Sequence, residues 1–269
     1  MLKAGRADEV LMSTTIGARR AGGYADRRYR DGLKNWRSRT RLLSAAFFGP
    51  MILLGIAGLF AHTHALVWLA GCLAGAGATA WGVVRDSPPE YVEHWREGAE
   101  GERRTERALG ALGPGWLVAH DVEARYGNYD HIIVGPAGVF LLDTKKPSGT
   151  VTICDGVPYV RRRMDGERAV RDVSMRTRVL AAAASLKEDI QRRSGRRLWV
   201  QAVVVIWGDF LPGVHEDEQC VFIHGPRLAD WIEAQPNKLS ASAAASVASA
   251  VEAIAAGKPS QQAMRPVTV

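Results

Sequence analysis

Residues 129–145 read YDHIIVGPAGVFLLDTK, and they contain the clearest structural pattern in the chain. Two strand-like apolar runs, 129–134 and 139–145, flank the turn-forming sequence Gly-Pro-Ala-Gly. This pattern is typical of a β-hairpin. The rest of the domain can be read outward from it.

The turn of the hairpin sets which residues of its two strands face each other. If Pro136 and Ala137 form the turn, Asp130 lies directly opposite Asp143. Proline cannot adopt the positive φ that the favoured two-residue turns require. A longer turn with a bulge at Gly138 would therefore shift the pairing by about one residue.

The predicted pairing places three charged side chains together. Directly opposed residues have Cβ atoms about 4.5–5.5 Å apart, and Lys145 follows Asp143 by two residues, so it points to the same face. Two carboxylates at this spacing, Asp130 and Asp143, can share one Mg²⁺, and a neighbouring lysine can orient a metal-bound water. The alternative is a charged rim at the solvent end of a structural hairpin.

The flanking segments predict the order α-β-β-β-β-α-β-β-α-α of an α/β layered domain of about 170 residues. A helical pattern covers about 91–112, with an interruption at 98–101. The remaining predicted elements are strands at 116–122, 151–154, 199–207 and 219–224, and helices at 168–193, 226–233 and 239–256. Strand 151–154 is expected to continue the main sheet, and strand 199–207 to be buried on both faces.

Two apolar segments without charged residues, 42–61 and 65–84, precede the domain. Each is about 20 residues long and would span roughly 30 Å of hydrocarbon. We expect a transmembrane helical hairpin (42–84), and a pair of buried core helices is the alternative. Small residues in the second span, including Gly71 and Gly75, suit packing against the first span or a homodimer seam.

The net charge of +7 lies entirely in residues 1–41, which contain eleven Lys or Arg and four Asp or Glu. The remaining 24 basic and 24 acidic residues balance each other in 85–269. Basic residues beside a membrane span stay cytoplasmic. We therefore expect a multi-pass protein of the plasma or inner membrane with both termini in the cytoplasm. The arm's charge needs no nucleic-acid partner to explain it.

The cysteines predict no disulfide or metal site. Three Cys in 269 residues exclude a disulfide-stapled scaffold. Cys72 lies in the second span, and Cys154 and Cys220 lie on separate predicted strands without a His or Cys partner at metal-ligand spacing. We expect buried free thiols.

Three sequence motifs resemble the nuclease-related domain (NERD) family. They are the run from Asp130 to Lys145 with Gly149 after it, the upstream Gly98-x-x-Gly101-Glu102, and His120-Asp121-Val122. The family is similar to the PD-(D/E)xK nucleases, and the resemblance covers roughly 96–210. It implies an α/β fold with a restriction-endonuclease-like αβββαβ core, here preceded by two transmembrane helices.

The resemblance also implies roles for four residues. Asp130 matches the first metal aspartate, Asp143 and Lys145 match the D-x-K element, and Glu102 matches a helix-borne carboxylate that completes the site. Asp130, Asp143 and Glu102 would hold Mg²⁺ or Mn²⁺, and Lys145 would orient the attacking water. The implied activity is phosphodiester hydrolysis of DNA or RNA. The alternative is a catalytically inactive nucleic-acid-binding or scaffolding module of a membrane assembly.

Together these patterns predict five segments of the chain. They are a basic cytoplasmic arm (1–41), the transmembrane hairpin (42–84), a linker (85–95), the NERD nuclease-like domain (96–235) and an Ala/Ser-rich C-terminal helix with a tail (236–269). Two arginine clusters, at 161–163 and 192–197, are either solvated turns or phosphate contacts, because sequence alone does not place them in space.

Overall fold

The computed structural model describes residues 14–16, 20–60, 64–124, 127–162 and 168–257. The chain forms two compact units. One contains 25–97, and the other joins the chain up to Tyr24 with the chain from Gly98 onward.

The first unit contains two long apolar helices, α1 (Gly23–Phe60) and α2 (His64–Asp86). The basic residues after Gly23 run into the first apolar segment without a helix break, so the predicted boundary at residue 41 is not a helix end. Both helices are long and apolar enough to cross a membrane, a test that a soluble core helix or a signal sequence also passes. Few residues of the two apolar stretches are buried. The predicted turn between them falls largely outside the described residues.

Helix α3 (Glu90–Leu109) begins soon after α2 ends. The linker predicted at 85–95 is therefore reduced to 87–89. Pro89 accepts hydrogen bonds from the backbone N–H groups of Val92 and Glu93, as suits proline at a helix start. The predicted interruption at 98–101 is wrong, because α3 continues through it.

Most of the second unit is built from strands and three further helices. In chain order the strands are β1 (Thr14–Ile16), β2 (Leu117–Ala124), β3 (Gly127–Gly135), β4 (Gly138–Lys145), β5 (Gly149–Cys154), β6 (Val157–Arg162), β7 (Ala169–Arg171), β8 (Val200–Ile206), β9 (Asp209–Phe210), β10 (Val214–Glu216) and β11 (Cys220–His224). The helices are α4 (Val173–Ser194), α5 (Leu228–Glu233), preceded by a 3-10 turn at Gly225–Arg227, and α6 (Ala241–Ala255).

The main sheet has the strand order β1-β2-β3-β4-β8-β11-β10, with β4 and β8 parallel. Two apolar clusters cover its faces. One includes side chains of α4 and α6, and the other includes Leu109 of α3 and Leu228 of α5. The result is a mixed α/β domain of three layers, and its order α3-β2-β3-β4-α4-β8 is consistent with the expected nuclease-like core.

Strand β5 does not continue the main sheet, so that prediction is wrong. It belongs to a second sheet with the order β7-β6-β5-β9, because β8 occupies the free edge of β4. The helix predicted from residue 168 also starts later. Residues 169–171 form β7, and the Asp172 side chain caps α4 by accepting a hydrogen bond from the backbone N–H of Ser174 at 3.0 Å.

Helix α6 is part of the main core. It contacts α4, β2 and β3, and its Val247 and Val251 are fully buried. The segment that the sequence sets apart as 236–269 therefore contributes one of the helices that cover the sheet. Among the cysteines, Cys220 is buried as expected, but Cys154 is exposed because it ends β5 beside a turn, and Cys72 is exposed as well.

Candidate active site

The β3–β4 hairpin has the two-residue turn predicted from its sequence. Gly135 pairs with Gly138, and the ladder continues to His131 opposite Leu142. The ladder ends there, and one further step in this register would set Asp130 opposite Asp143. The positive backbone angle falls on Gly138, with φ +129°, so the turn demands no forbidden φ of its proline.

The hairpin brings three of the predicted site residues together. A carboxylate oxygen of Asp130 (Oδ2) accepts a hydrogen bond of 3.0 Å from the backbone N–H of Thr144. The Nζ of Lys145 lies 2.6 Å from Oδ2 of Asp143. Both members of this ion pair are partly buried, so water screens the pair less than at an open surface.

Glu102 lies on α3 and is only 7% exposed. Its Oε2 accepts a hydrogen bond of 2.8 Å from the backbone N–H of Gly22, which precedes α1. Gly22 has φ +80°, and an added Cβ would lie 3.0 Å from the carbonyl oxygen of Ala99. The sequence analysis assigned residue 22 to the basic arm and did not predict this contact. The pair Gly22-Gly23 could have indicated a turn with a positive φ at this position.

Charge and burial raise the pKa of two carboxyl groups. Burial raises the pKa of Glu102 to about 8, and the charge of Asp130 adds to this effect. Burial likewise raises the pKa of Asp130 to about 7, with a contribution from Asp143. For Lys145, burial opposes the charge, but the carboxylates of Asp143 and Asp130 outweigh it and raise its pKa. Glu102 and Asp130 therefore hold their protons more tightly than ordinary carboxyl groups do, and each is influenced by a neighbouring acidic side chain.

The donor set fits a magnesium ion held by two carboxylates. Across the described ranges, no three His, Cys, Asp or Glu side chains converge as a ready-made metal cluster. Glu102 is engaged by Gly22, so its role as a third ligand stays a prediction. Mg²⁺ usually binds one or two carboxylates and keeps several waters. Asp130 and Asp143 would supply that set.

A hydrogen-bond network joins α3 to β4, which bears Asp143 and Lys145, and to the end of the neighbouring strand β8. The Oγ1 of buried Thr105 lies 3.0 Å from Oγ1 of Thr144 and accepts a hydrogen bond of 2.7 Å from the indole N–H of Trp207. Close packing makes this contact possible, since a Cβ on Gly101 would lie 3.1 Å from Cγ2 of Thr144. Because the backbone of Thr144 also binds Asp130, the network connects the helix of Glu102 to the hairpin.

We expect Thr105→Val to lower the free energy of unfolding by about 1–3 kcal/mol, because it leaves the partly buried indole N–H of Trp207 and the buried hydroxyl of Thr144 without this partner. Thermal denaturation of the full-length chain in detergent measures this. Thr105→Ser keeps the hydroxyl and should lose much less. Thr177→Val, at an exposed hydroxyl on α4, is the control, and a loss as large at that position would contradict the assignment.

Two histidines near the site belong to the core. His120 and His131 are almost fully buried, and their Nδ1 atoms lie 2.7 Å apart. Burial lowers the pKa of both imidazoles. Both imidazoles therefore lie in the interior of the domain.

Lys146, next to the D-x-K element, is held by an ion pair. Its Nζ lies 2.5 Å from Oε2 of Glu100, which also contacts Arg104 at 2.5 Å. The hydrogen bond from Lys146 is the main reason that the pKa of Glu100 falls to about 2. This pair ties α3 to the end of β4 and engages the Lys146 ammonium.

Residues 97–207 match the model of the family described as NERD, nuclease-related domain. The matched segment extends from α3 to the residue after β8 and includes all four predicted site residues. No curated protein and no solved structure matches the chain. The family match indicates a nuclease-related function for this part of the chain.

Proposed function

We propose that this chain is a membrane-anchored, cytoplasm-facing phosphodiesterase that cleaves DNA or RNA with Mg²⁺ or Mn²⁺. The observation that carries the proposal is the meeting of Asp130, Asp143 and Lys145 on one hairpin within the nuclease-related segment. Opposed carboxylates beside a lysine suit metal-assisted hydrolysis.

Each of the four residues has a part in this proposal. Asp130 and Asp143 would hold the divalent ion, and Glu102 would add a third carboxylate once it loses its proton. These residues would thereby hold an ion whose chemistry, when it is bound, would be Lewis-acid polarisation of a phosphoryl oxygen and a lowered pKa of a water ligand. Lys145, already 2.6 Å from Asp143, can donate a hydrogen bond to the attacking water and offset the developing negative charge.

The enzyme proposal is tested by incubating the full-length chain in detergent with single- and double-stranded DNA and RNA. We expect cleavage of at least one substrate with Mg²⁺ or Mn²⁺, and its loss when the ion is chelated. An absence of cleavage on every substrate with either ion would contradict the enzyme proposal.

A second candidate function is a nucleic-acid-binding or scaffolding module without catalysis. The observation that favours it is the ion pair between Lys145 and Asp143, which already neutralises one of the two proposed metal ligands. Binding of nucleic acid without cleavage in the same assay would select this candidate.

The membrane part of the proposal rests on α1 and α2. Large apolar side chains on both helices are strongly exposed, among them Leu53 at 67% and Trp68 at 77%, and lipid would cover them. The basic residues that begin α1 favour a cytoplasmic N-terminus. In α2, a Cβ added to Gly71 or Gly75 would meet open space, which suits a homodimer contact through this helix.

Topology is tested with reporters on the full-length chain. A reporter that is active only in the cytoplasm should be active when fused after residue 269, because two spans return the chain to its starting side. The same reporter inserted between α1 and α2 should be inactive, and this insertion is the matched control. An external C-terminus would contradict the hairpin.

A further inference from the structure

We infer that the phosphate backbone of a nucleic acid binds to three arginines at the active-site end of the domain: Arg161 and Arg162 of β6, and Arg178 of α4. This inference rests on the proposed function and assigns the surface that its substrate would contact.

Strand pairing places Arg161 and Arg162 near the C-terminal end of β4, where Asp143 and Lys145 lie. The chain leaves Lys145 and enters β5 only four residues later, at Gly149. Gly149 pairs with Arg162, and Thr150 pairs with Arg161. The contact is close, since a Cβ on Gly149 would lie 2.3 Å from the carbonyl oxygen of Arg161. The two arginines therefore lie against the segment that emerges from the site.

Arg178 approaches the same end from the neighbouring helix. Helix α4 packs against both β4 and β6, with Met175 and Val179 buried on its inner face. Arg178 is exposed beside them. Arg178 lies in the second turn of α4, a helix that begins two residues after β7, and Ala169 of β7 pairs with Arg161.

All three arginine side chains are exposed. Within the described part of the chain, no ion pair or side-chain hydrogen bond engages them. Other cations near the site differ in this respect, since Lys146 is held by Glu100. Unpaired arginines beside a site proposed to hydrolyse phosphodiesters suit the phosphate oxygens of a nucleic acid.

The second arginine cluster lies at the other end of the sheet. Val200, the first residue of β8, pairs with Val139, whereas Ile206 pairs with Lys145. Six residues of strand separate these pairs by roughly 20 Å. Arg196 and Arg197 precede β8, and Arg197 lines a cavity of about 410 Å³ that includes none of the four proposed site residues.

The test measures binding without cleavage. The full-length chain in detergent is titrated into a fluorescently labelled single-stranded oligonucleotide with Ca²⁺ in place of Mg²⁺, and anisotropy gives Kd at several salt concentrations. The triple variant Arg161→Gln, Arg162→Gln, Arg178→Gln should weaken binding by roughly tenfold or more. It should also reduce the slope of log K against log salt by about 2.

The matched control is the double variant Arg196→Gln, Arg197→Gln, which should change Kd by less than about twofold and leave the slope as in the natural sequence. The proposal is overturned if the triple variant binds normally, if the control weakens binding equally for each charge removed, or if the unaltered chain does not bind. All five positions are exposed, so the thermal midpoints should agree and exclude misfolding.

The binding and cleavage assays separate this inference from the proposed function. If binding depends on Arg161, Arg162 and Arg178 but no cleavage occurs with Mg²⁺ or Mn²⁺, the proposed binding surface is supported and the enzyme proposal is contradicted. If the triple variant cleaves as fast as the natural sequence, the enzyme proposal is supported and the proposed binding surface is contradicted.

Discussion

Asp143→Asn is expected to lower the rate of nucleic-acid cleavage by more than about a hundredfold. This loss is larger than the loss usually caused by substituting a residue that only hydrogen-bonds to a metal ligand. Asparagine keeps the shape of the side chain but removes the charge that faces Asp130 and pairs with Lys145 at 2.6 Å. The proposed metal site would lose one of its two principal oxygen ligands. Initial rates of the full-length chain at saturating substrate and Mg²⁺ measure the effect.

The control is Asp230→Asn, which changes an exposed carboxylate on α5 and should leave the rate unchanged. Asp143→Asn should still bind the labelled oligonucleotide with Ca²⁺, because the three proposed arginine contacts remain. Cleavage by Asp143→Asn at the full rate would show that Asp143 has no part in the chemistry.

Without a divalent ion, the folded state is expected to lose stability as the pH rises from about 5 to 8. The folded-state pKa is about 8 for Glu102 and about 7 for Asp130, above the ordinary values of 4.5 and 3.8. The folded chain therefore keeps protons that the unfolded chain releases. The resulting stabilisation is complete below about pH 4 and is lost as the pH rises through 7 to 8. For the two groups together this loss is on the order of several kcal/mol.

Magnesium should reverse this loss, because a bound cation favours the deprotonated carboxylates. We expect Mg²⁺ to raise the thermal midpoint of the full-length chain at pH 8 by several degrees, and to have little effect at pH 5. Circular dichroism at both pH values, with Mg²⁺ or a chelator, measures the shift. This readout does not depend on catalysis.

Glu102→Gln is the variant that isolates the effect, since it removes one of the two raised pKa values and should flatten the pH dependence of the midpoint. Glu252→Gln, at an exposed position on α6, should leave that dependence unchanged. An equal midpoint with and without Mg²⁺ at pH 8 would contradict the metal site.

The contact between Gly22 and Glu102 makes the full-length chain the right material for these experiments. The backbone N–H of Gly22 is the hydrogen-bond donor to the Glu102 carboxylate, and β1 pairs in parallel with β2. A fragment that starts after the two apolar helices would lack both features. Its Glu102 would lose a bond that lowers the pKa of this group.

Local sequence was sufficient to predict those parts of the fold whose backbone geometry depends on residues close together in the chain. The alternation of apolar residues and the Gly-Pro-Ala-Gly turn predicted the hairpin and its register, which the observed pairing of His131 with Leu142 confirms. The approximate positions of α4, α5, α6, β8 and β11 also followed from hydrophobic periodicity. Strand β5 was assigned to the wrong sheet, because a short strand carries no signal for which sheet it joins. Strand β6 was not predicted, and the residues of β7 were predicted as the start of a helix.

Local sequence patterns were enough to predict a hairpin that bears two aspartates and a lysine, and to show that the whole net charge precedes two apolar segments. The surroundings of the hairpin depend on packing in three dimensions, as the contacts of Gly22 with Glu102 and of Thr105 with Thr144 show. The physical reason is that a two-residue turn fixes pairing between adjacent strands. Contacts between residues 80 positions apart, such as Gly22 and Glu102, form only when layers pack around a shared core.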